Sequence, residues 1–530
     1  ASGLPPTRCT HPGLPLAAGA AGITISTTPL RPPGTGSTGV GTGDTGINIQ
    51  GANTIVGGIG ATDGNVITNN GNEGVNVTGG GATGTIIRGN IIGLDPDGST
   101  GSGNTDVGIA LLSGANDTII GGTTAAARNI ISNNFEGIEI NSNNNTIQGN
   151  HIGTDITGTL DRGNRSDDGV EIQNNGSSNL IGGTSAGAGN LIAFNALDGV
   201  HIVSGTGNSV LGNAIHSSTR LGINLVGGTE DGFGVSGNDA DDSDLGANLL
   251  QNYPILDSIK TSGSEIQLVG LLNSVADTTF RIEFFASAAA DASGHGEGER
   301  YLGFVNVTTD GSGKAVLPES LSFAVAAGEF VTATATDSNG NTSEFSASIA
   351  AQAATAAPVV TPGGEFRQYN EDAAPIVVDP SLTVTDADSA TLAGATVRIS
   401  ANFASDQDVL SFTDQSGISG SWEQTTGVLT LTGTATVADY QQALRSITYH
   451  NTSQAPSTSA RLVEFVVSDG ENSSDPVTKS ISIVSWNDAP ETDDVSASGL
   501  EDAVSIAITL TGSDPDGTVD RFRLSTLPAN

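Results

Sequence analysis

An all-β chain is expected from these 530 residues, with stacked parallel coils in the N-terminal half and antiparallel sandwiches after them. Three observations carry the expectation. A glycine-led phrase recurs through residues 46–225, its segments alternate apolar and polar positions, and the C-terminal third repeats at a much longer interval.

The phrase Gly-(Ile/Val)-x-(Ile/Val/Leu) stands at Gly46, Gly74, Gly108, Gly137, Gly169, Gly199 and Gly222; Ala110 and Glu139 are examples of its variable position. The steps between copies are 28, 34, 29, 32, 30 and 23 residues, and skipping one copy gives 62, 63, 61 and 62. Each period is therefore one coil of a solenoid, and coils of two kinds alternate. Two further short apolar segments follow each phrase, which makes three β segments per coil and a triangular section. One series reads Ile55-Val56-Gly57-Gly58, Ile119-Ile120-Gly121-Gly122 and Leu180-Ile181-Gly182-Gly183. The interleaved series reads Ile87-Arg88-Gly89-Asn90, Ile147-Gln148-Gly149-Asn150 and Val210-Leu211-Gly212-Asn213. Apolar residues two apart share one face of a strand, so the inward faces should stack into one column. Asn65, Asn129 and Asn190 in one coil type, and Asn90, Asn150 and Asn213 in the other, open the third segment. Asparagine tolerates left-handed turns and can bond its copy on the next rung, so a structural ladder is expected at this corner.

Together these features resemble the right-handed parallel β-helix family, whose coils stack about 4.8 Å apart. That family includes pectin and alginate enzymes, phage tailspikes and adhesin stalks, so the resemblance implies fold and leaves activity open.

Residues 226–250 form an acidic exit in which Asp231, Asp239, Asp241, Asp242 and Asp244, with Asn238, are a possible calcium loop or a solvated one. From 251 to 352 the period is gone. Runs such as Phe280–Phe285 and Phe330–Thr336 are separated by Gly/Asn/Asp turns, as in an antiparallel Ig-like sandwich. After the Ala/Pro-rich linker 351–362, Glu371-Asp372 and Asp386-Ala387-Asp388 return as Glu501-Asp502 and Asp514-Pro515-Asp516, with Asn487-Asp488-Ala489-Pro490 at the join.

These motifs, with Asp469-Gly470-Glu471, resemble cadherin-like repeats of the chondroitin-sulfate-proteoglycan type found in large bacterial adhesins. The resemblance implies an interdomain calcium site, with Glu371, Asp386, Asp388, Asp469, Glu471, Asn487 and Asp488 as candidate ligands. The Leu-Asp-Arg-Glu motif of animal cadherins is missing, and the final repeat stops early, as expected of a piece of something longer. The expected organisation is an irregular segment or cap over 1–45, the β-helix over 46–250, the Ig-like sandwich over 251–352, a cadherin-like repeat over 358–488 and the start of another over 489–530.

The chain carries 57 acidic against 18 basic residues, a formal charge of -39, three lysines and no methionine. Nucleic acid and anionic membranes would be repelled, whereas divalent cations are natural partners. No apolar run approaches the ~18 residues of a membrane-spanning helix. Cys9 is alone, so no disulfide can close within the chain. This composition resembles exported bacterial surface proteins, although no secretion signal is legible in residues 1–40.

Catalytic constellations are weak. Lys260, Lys314 and Lys479 lie outside the coils, and the first tyrosine is Tyr253. A lyase base would have to be one of Arg88, Arg128, Arg162, Arg165 and Arg220. Asn104-Thr105-Asp106 and Asp167-Asp168 superficially match polygalacturonase motifs, but Asp106 and Asp167 are 61 residues apart, two coils and about 10 Å along the axis. His151, His201 and His216 are scattered, with His201 expected to point outward. The loops Leu94–Val107 and Thr154–Asp168 should form an acidic ridge of Asp95, Asp97, Asp155, Asp161, Asp167 and Asp168.

A non-enzymatic, extracellular or cell-surface adhesin or calcium-stiffened stalk is thus expected, partnered by a surface or matrix polysaccharide or protein. A polysaccharide-binding or polysaccharide-cleaving β-helix is the alternative, and a self-assembling fibre subunit is a further one, because open solenoid ends expose pairing edges.

Overall fold

The computed structural model describes residues 14–16, 24–25, 43–60, 63–501 and 503–526, and the chain divides into two compact units, Ala1–Ala354 and Thr355–Asn530. Cys9, Asp502 and most of segment 1–45 lie outside the described residues.

The first unit opens with three parallel sheets that wrap one core. The first sheet runs in chain order from Leu14–Leu16 through Ile47–Ile49, Val75–Thr78, Val107–Leu112, Glu136–Ile140, Val170–Ile172 and Val200–Ile202 to Ile223–Leu225. The second ends at Ser209–Leu211 and the third at Ala214–His216. Register is in phase from coil to coil: Ile138 pairs with Val170 and Ile140 with Ile172. Like side chains therefore stack, and Ile49, Ile87, Ile109, Ile140 and Ile152 are fully buried in a single cluster. Leu14–Leu16 pairs with Ile47–Ile49 and Thr24–Ile25 with Ile55–Val56, so parallel pairing reaches into segment 1–45.

The phrase glycine has a steric cause. A Cβ on Gly137 would lie 2.2 Å from the Gly169 carbonyl oxygen and 2.9 Å from the Asn164 amide nitrogen. Only a bare Cα lets a corner asparagine lie against the next coil. The expected ladder is present: Asn90 Nδ2 donates to Asn129 Oδ1 at 3.0 Å, and Asn129 Nδ2 to Asn150 Oδ1 at 3.0 Å. Two more ladders occupy the other corners, through Asn104, Asn134, Asn164 and Asn195 and through Asn145, Asn179 and Asn208. One expectation is corrected here. The ladder asparagines are not left-handed; in alternate coils the preceding glycine is, as at Gly89 (φ +70) and Gly149 (φ +66).

Residues 251–352 form a two-sheet, largely antiparallel sandwich around Phe280, Ile282, Phe284, Leu268 and Val331, with Lys260 and Gln352 paired in parallel. Ile266–Asn273 alternates buried and exposed side chains, as a sheet with one wet face requires. This sandwich closes the last coil. Phe285 and Phe345 join the β-helix core cluster, and Ile215 exchanges both backbone hydrogen bonds with Gly298 at 2.8 Å. Three glutamates take further donors of the last coil and its exit: Glu283 Oε2 accepts from Gly212 N at 2.7 Å, Glu297 from Ser217 N and Ser218 N at 2.7 and 3.0 Å, and Glu344 from Leu225 N and Ser236 N at 2.9 Å each. Unpaired strand N–H groups buried against another domain need such acceptors.

The second unit is built on a six-stranded sheet with Arg367–Asn370 and Ser419–Glu423 at its edges. A three-stranded sheet and one unforeseen α-helix, Val437–Ser446, pack with it. Thr436 caps that helix by accepting from Asp439 N at 3.1 Å and donating to Asp439 Oδ2 at 2.6 Å. Tyr440, Ala443 and Leu444 face the core. A buried ion pair joins Arg461 Nε to Asp408 Oδ2 at 2.9 Å, while Asp408 Oδ1 accepts from Tyr449 and Asn451.

Candidate metal centre at the repeat junction

The seven residues expected as calcium ligands fall into two groups. The strand Arg461–Ser468 pairs antiparallel with both Thr391–Ala401 and Val477–Val484. Asp386, Asp388, Asp469 and Glu471 border its Ser468 end, whereas Glu371, Asn487 and Asp488 border its Arg461 end. Eight residues of strand put roughly 25 Å between the groups.

At the Ser468 end the carboxylates are largely committed to backbone. Asp388 Oδ2 accepts from Ala356 N at 2.9 Å, Glu471 Oε2 from the Thr355 hydroxyl at 2.9 Å, and Asp469 Oδ1 from Glu471 N and Asn472 N at 2.7 and 2.6 Å. Asp386 Oδ1 accepts from Ser389 N and Asp388 N; against the upward push of desolvation, these bonds hold its carboxyl below the usual range, and its other oxygen is buried without a hydrogen-bond partner. These bonds tie the chain at 355–356 to the end of the sheet.

At the Arg461 end the carboxylates gather near enough for their charges to act on one another, although no three of the described ones place oxygens within 4.8 Å of each other. Glu371 is held by its backbone N–H on Val484 O, and its Oε2 accepts from Ser485 Oγ at 2.9 Å and Trp486 N at 2.7 Å. Its Oε1 is buried without a partner, as are Asp488 Oδ2, Asp514 Oδ1 and Asp516 Oδ1. Partial desolvation and then the charges of Asp372, Asp516, Glu371 and Asp514 push the Asp488 carboxyl above its usual range. Oxygen-only donors with unused lone pairs fit a hard cation of the calcium type. Asp514 and Asp516 were legible as repeat markers and are here brought to the junction beside Asp488. Asn487 is exposed, and its side-chain amide donates to the Asp488 carbonyl.

The other acidic features divide by packing. Asp239, Asp242 and Asp244 approach one another within 4.8 Å, whereas Asp231 closes its own turn by accepting from Phe233 N and Val235 N. Asn238 is spent on the backbone of Tyr253. The expected ridge is a set of turn-forming aspartates: Asp97 accepts from Ser99 N and Thr100 N, and Asp155, only 2% exposed, from Thr159 N and Leu160 N. Its two loops are braced two coils apart by Arg162 on Ser99 O and by Arg165 on Ser102 O and Asn104 O. Asp106 and Asp167 are equivalent positions with Phe135 between them, joined through backbone hydrogen bonds. Asp168 leaves the ridge, is fully buried, and accepts or shares a proton with His201 Nδ1 at 2.8 Å. His216 instead packs edge-on against Phe194.

No helix among the described residues is long and apolar enough to cross a membrane. No family model matches the chain. It is 31% identical over 142 residues to halomucin of Haloquadratum walsbyi, a stretch that makes up 26% of this chain and 2% of halomucin. Among solved structures it is similar to the C-terminal domain of the Streptococcus pyogenes antigen I/II-family protein AspA, at 10% identity and a TM-score of 0.17, covering 44% of this chain and 99% of that one. Drosophila N-cadherin EC1-4 gives 15% identity and a TM-score of 0.14 over 51% of this chain and 61% of that one. Scores so far below one half carry no argument about fold or function. The assignment rests on the sheets themselves, a parallel β-helix followed by antiparallel, Ig-like sandwiches.

Proposed function

We propose that this chain is a section of an extracellular surface or matrix protein, an adhesin or stalk whose C-terminal repeats are stiffened by calcium. The observation that carries the reading is that Glu371, Asp514 and Asp516 lie near enough for their charges to act on Asp488, and that each of the four has a buried carboxylate oxygen lacking a partner. Asp372 adds charge to the same place. A calcium ion held there would link one repeat to the start of the next and relieve the repulsion. Asp386, Asp388, Asp469 and Glu471 would serve the same role toward the preceding linker if their turn bonds rearranged. The strongly acidic composition fits a partner such as a matrix polysaccharide bridged by cations, or a basic protein surface.

The test is scanning calorimetry of the whole chain with calcium and then with excess chelator. A calcium-dependent rise confined to the transition of Thr355–Asn530, abolished in Asp488→Asn, is expected. No shift in any transition would remove calcium from the reading.

The closed end of the solenoid counts against a fibre built by stacking coils end to end, because Glu283, Glu297 and Glu344 already occupy the edge donors there. Cleavage of an acidic polysaccharide remains a second reading. It is favoured by one observation, the part-buried pairing of Asp168 with His201 on the outer face of the β-helix. Release of reducing ends or new ultraviolet absorbance from pectate or alginate would establish it.

A further inference from the structure

Three consecutive coils set six ionisable side chains in two columns on the first sheet. Glu136, Asp168 and Asp198 stand at the corner, immediately before the phrase glycines; Glu139, Glu171 and His201 stand in the middle of the phrases. Glu139 pairs in register with Glu171, and Glu171 with His201. Gly137 N bonds to Asp168 O and Gly169 N to Asp198 O, which fixes the corner column. Coil spacing puts about 4.8 Å between rungs.

Some of these groups are already used. Asp198 accepts from Leu221 N and Asn224 Nδ2 at 2.8 Å each, and Glu139 Oε1 from Asn141 and Gln173 at 2.7 Å each. Asp168 gives one oxygen to Asp198 N at 2.7 Å. Four donors remain. His201 Nδ1 lies 2.8 Å from Asp168 Oδ2 and 3.9 Å from Glu171 Oε1, and the three residues can place donor atoms within 4.8 Å of one another. Glu136, 6% exposed on the rung beside Asp168, has Oε1 buried without a partner. Among the described residues no lysine or arginine forms an ion pair with any of the six.

We infer that Asp168, Glu171 and His201 form a binding site for one divalent transition-metal cation of the zinc class, with Glu136 on the adjoining coil, outside that 4.8 Å group, joining it by rotation of its side chain. A tetrahedral ion with ligands at about 2.1 Å has ligand–ligand edges near 3.4 Å, and the 2.8 and 3.9 Å separations bracket that edge. Imidazole nitrogen beside carboxylate oxygen selects a borderline cation over calcium, in contrast to the oxygen-only junction. A bound dication supplies the positive charge that the surroundings lack. The site is independent of the calcium reading, since it lies in the other unit and uses other residues.

The test is calorimetric titration of the full chain with zinc chloride in a large excess of calcium, which saturates hard-oxygen sites. One zinc per chain is expected. His201→Ala, which removes a side chain 19% exposed on the outer face, should weaken binding about tenfold or more. Glu136→Gln should weaken it about threefold or more, and Asp488→Asn should leave it unchanged. Each variant's melting transition confirms that the coils remain folded. The inference is overturned if calcium displaces the zinc, if no zinc binds, or if folded His201→Ala and Glu136→Gln both bind as tightly as the parent.

Discussion

Replacing Glu344 tests whether the sandwich and the last coil are one cooperative structure. Its two oxygens accept from Leu225 N and Ser236 N, and the residue is 3% exposed. Glu344→Ala leaves two buried backbone donors with no acceptor, at about 1–3 kcal/mol each, so a loss of about 4 kcal/mol is expected. Glu344→Gln keeps one acceptor and turns an amide N–H toward the other donor, for about half that loss. The assay is urea denaturation of the whole chain followed by far-ultraviolet dichroism. The parent should unfold Ala1–Ala354 in one transition, and Glu344→Ala should release the sandwich at lower urea than the coils. The pH dependence has a definite sign. Burial holds Glu344 up at about 8 and Glu297 at about 7, above their ordinary carboxylate range. The docked state therefore binds protons more tightly than the unfolded one. The stability this contributes is full below about pH 4.5 and is lost as pH rises through 7 and 8. A Glu344→Ala variant that melts with the parent's midpoint at pH 6 would refute the reasoning.

Three other substitutions probe the remaining structure. Asn129→Ala removes a side chain engaged in four buried hydrogen bonds, to Asn90 N, Asn90 Nδ2, Ile87 O and Asn150 Oδ1, and should lower the stability of the coils by about 4 kcal/mol in the same denaturation assay. Gly137→Ala drives a methyl group against the Gly169 carbonyl, and should yield protein that fails to give a cooperative coil transition although alanine is the smallest change available. Asp408→Asn leaves the fully buried Arg461 uncompensated, and should cost the second unit about 3–5 kcal/mol in calorimetry while the first unit melts unchanged.

The coils were legible because their constraints repeat at fixed spacing. Gly137 and Asn129 have copies on other coils, and the inward isoleucines mark one face of every strand. The cap was not legible: Glu283 and Glu344 answer donors 71 and 119 residues earlier in the chain, and nothing in Phe280–Phe285 announces that an odd glutamate will be buried. The helix Val437–Ser446 was hidden among threonine-rich strands, although Thr436 and Asp439 carry a cap and Tyr440, Ala443 and Leu444 follow helical spacing. At the junction, Glu371 and Asp488 were found from motifs, but only folding shows that Asp386 and Asp469 lie at the other end of the sheet. Comparing alternate coils hid the zinc-class site, because it is assembled from neighbouring ones. Residues 136–139, 168–171 and 198–201, aligned on their phrase glycines, carry both columns.

The arginine braces between alternate loops have a consequence for how such a chain can change length. Arg162 and Arg165 reach back 61–63 residues, past the intervening coil, to Ser99, Ser102 and Asn104. A gene duplication or deletion of about 62 residues would carry a brace and its receiving loop together and leave every corner in phase. Loss of a single coil would instead set a long loop against a short one and strand both guanidinium groups. The heritable module of this rod is therefore the pair of coils, and natural length variants should differ by even numbers of them.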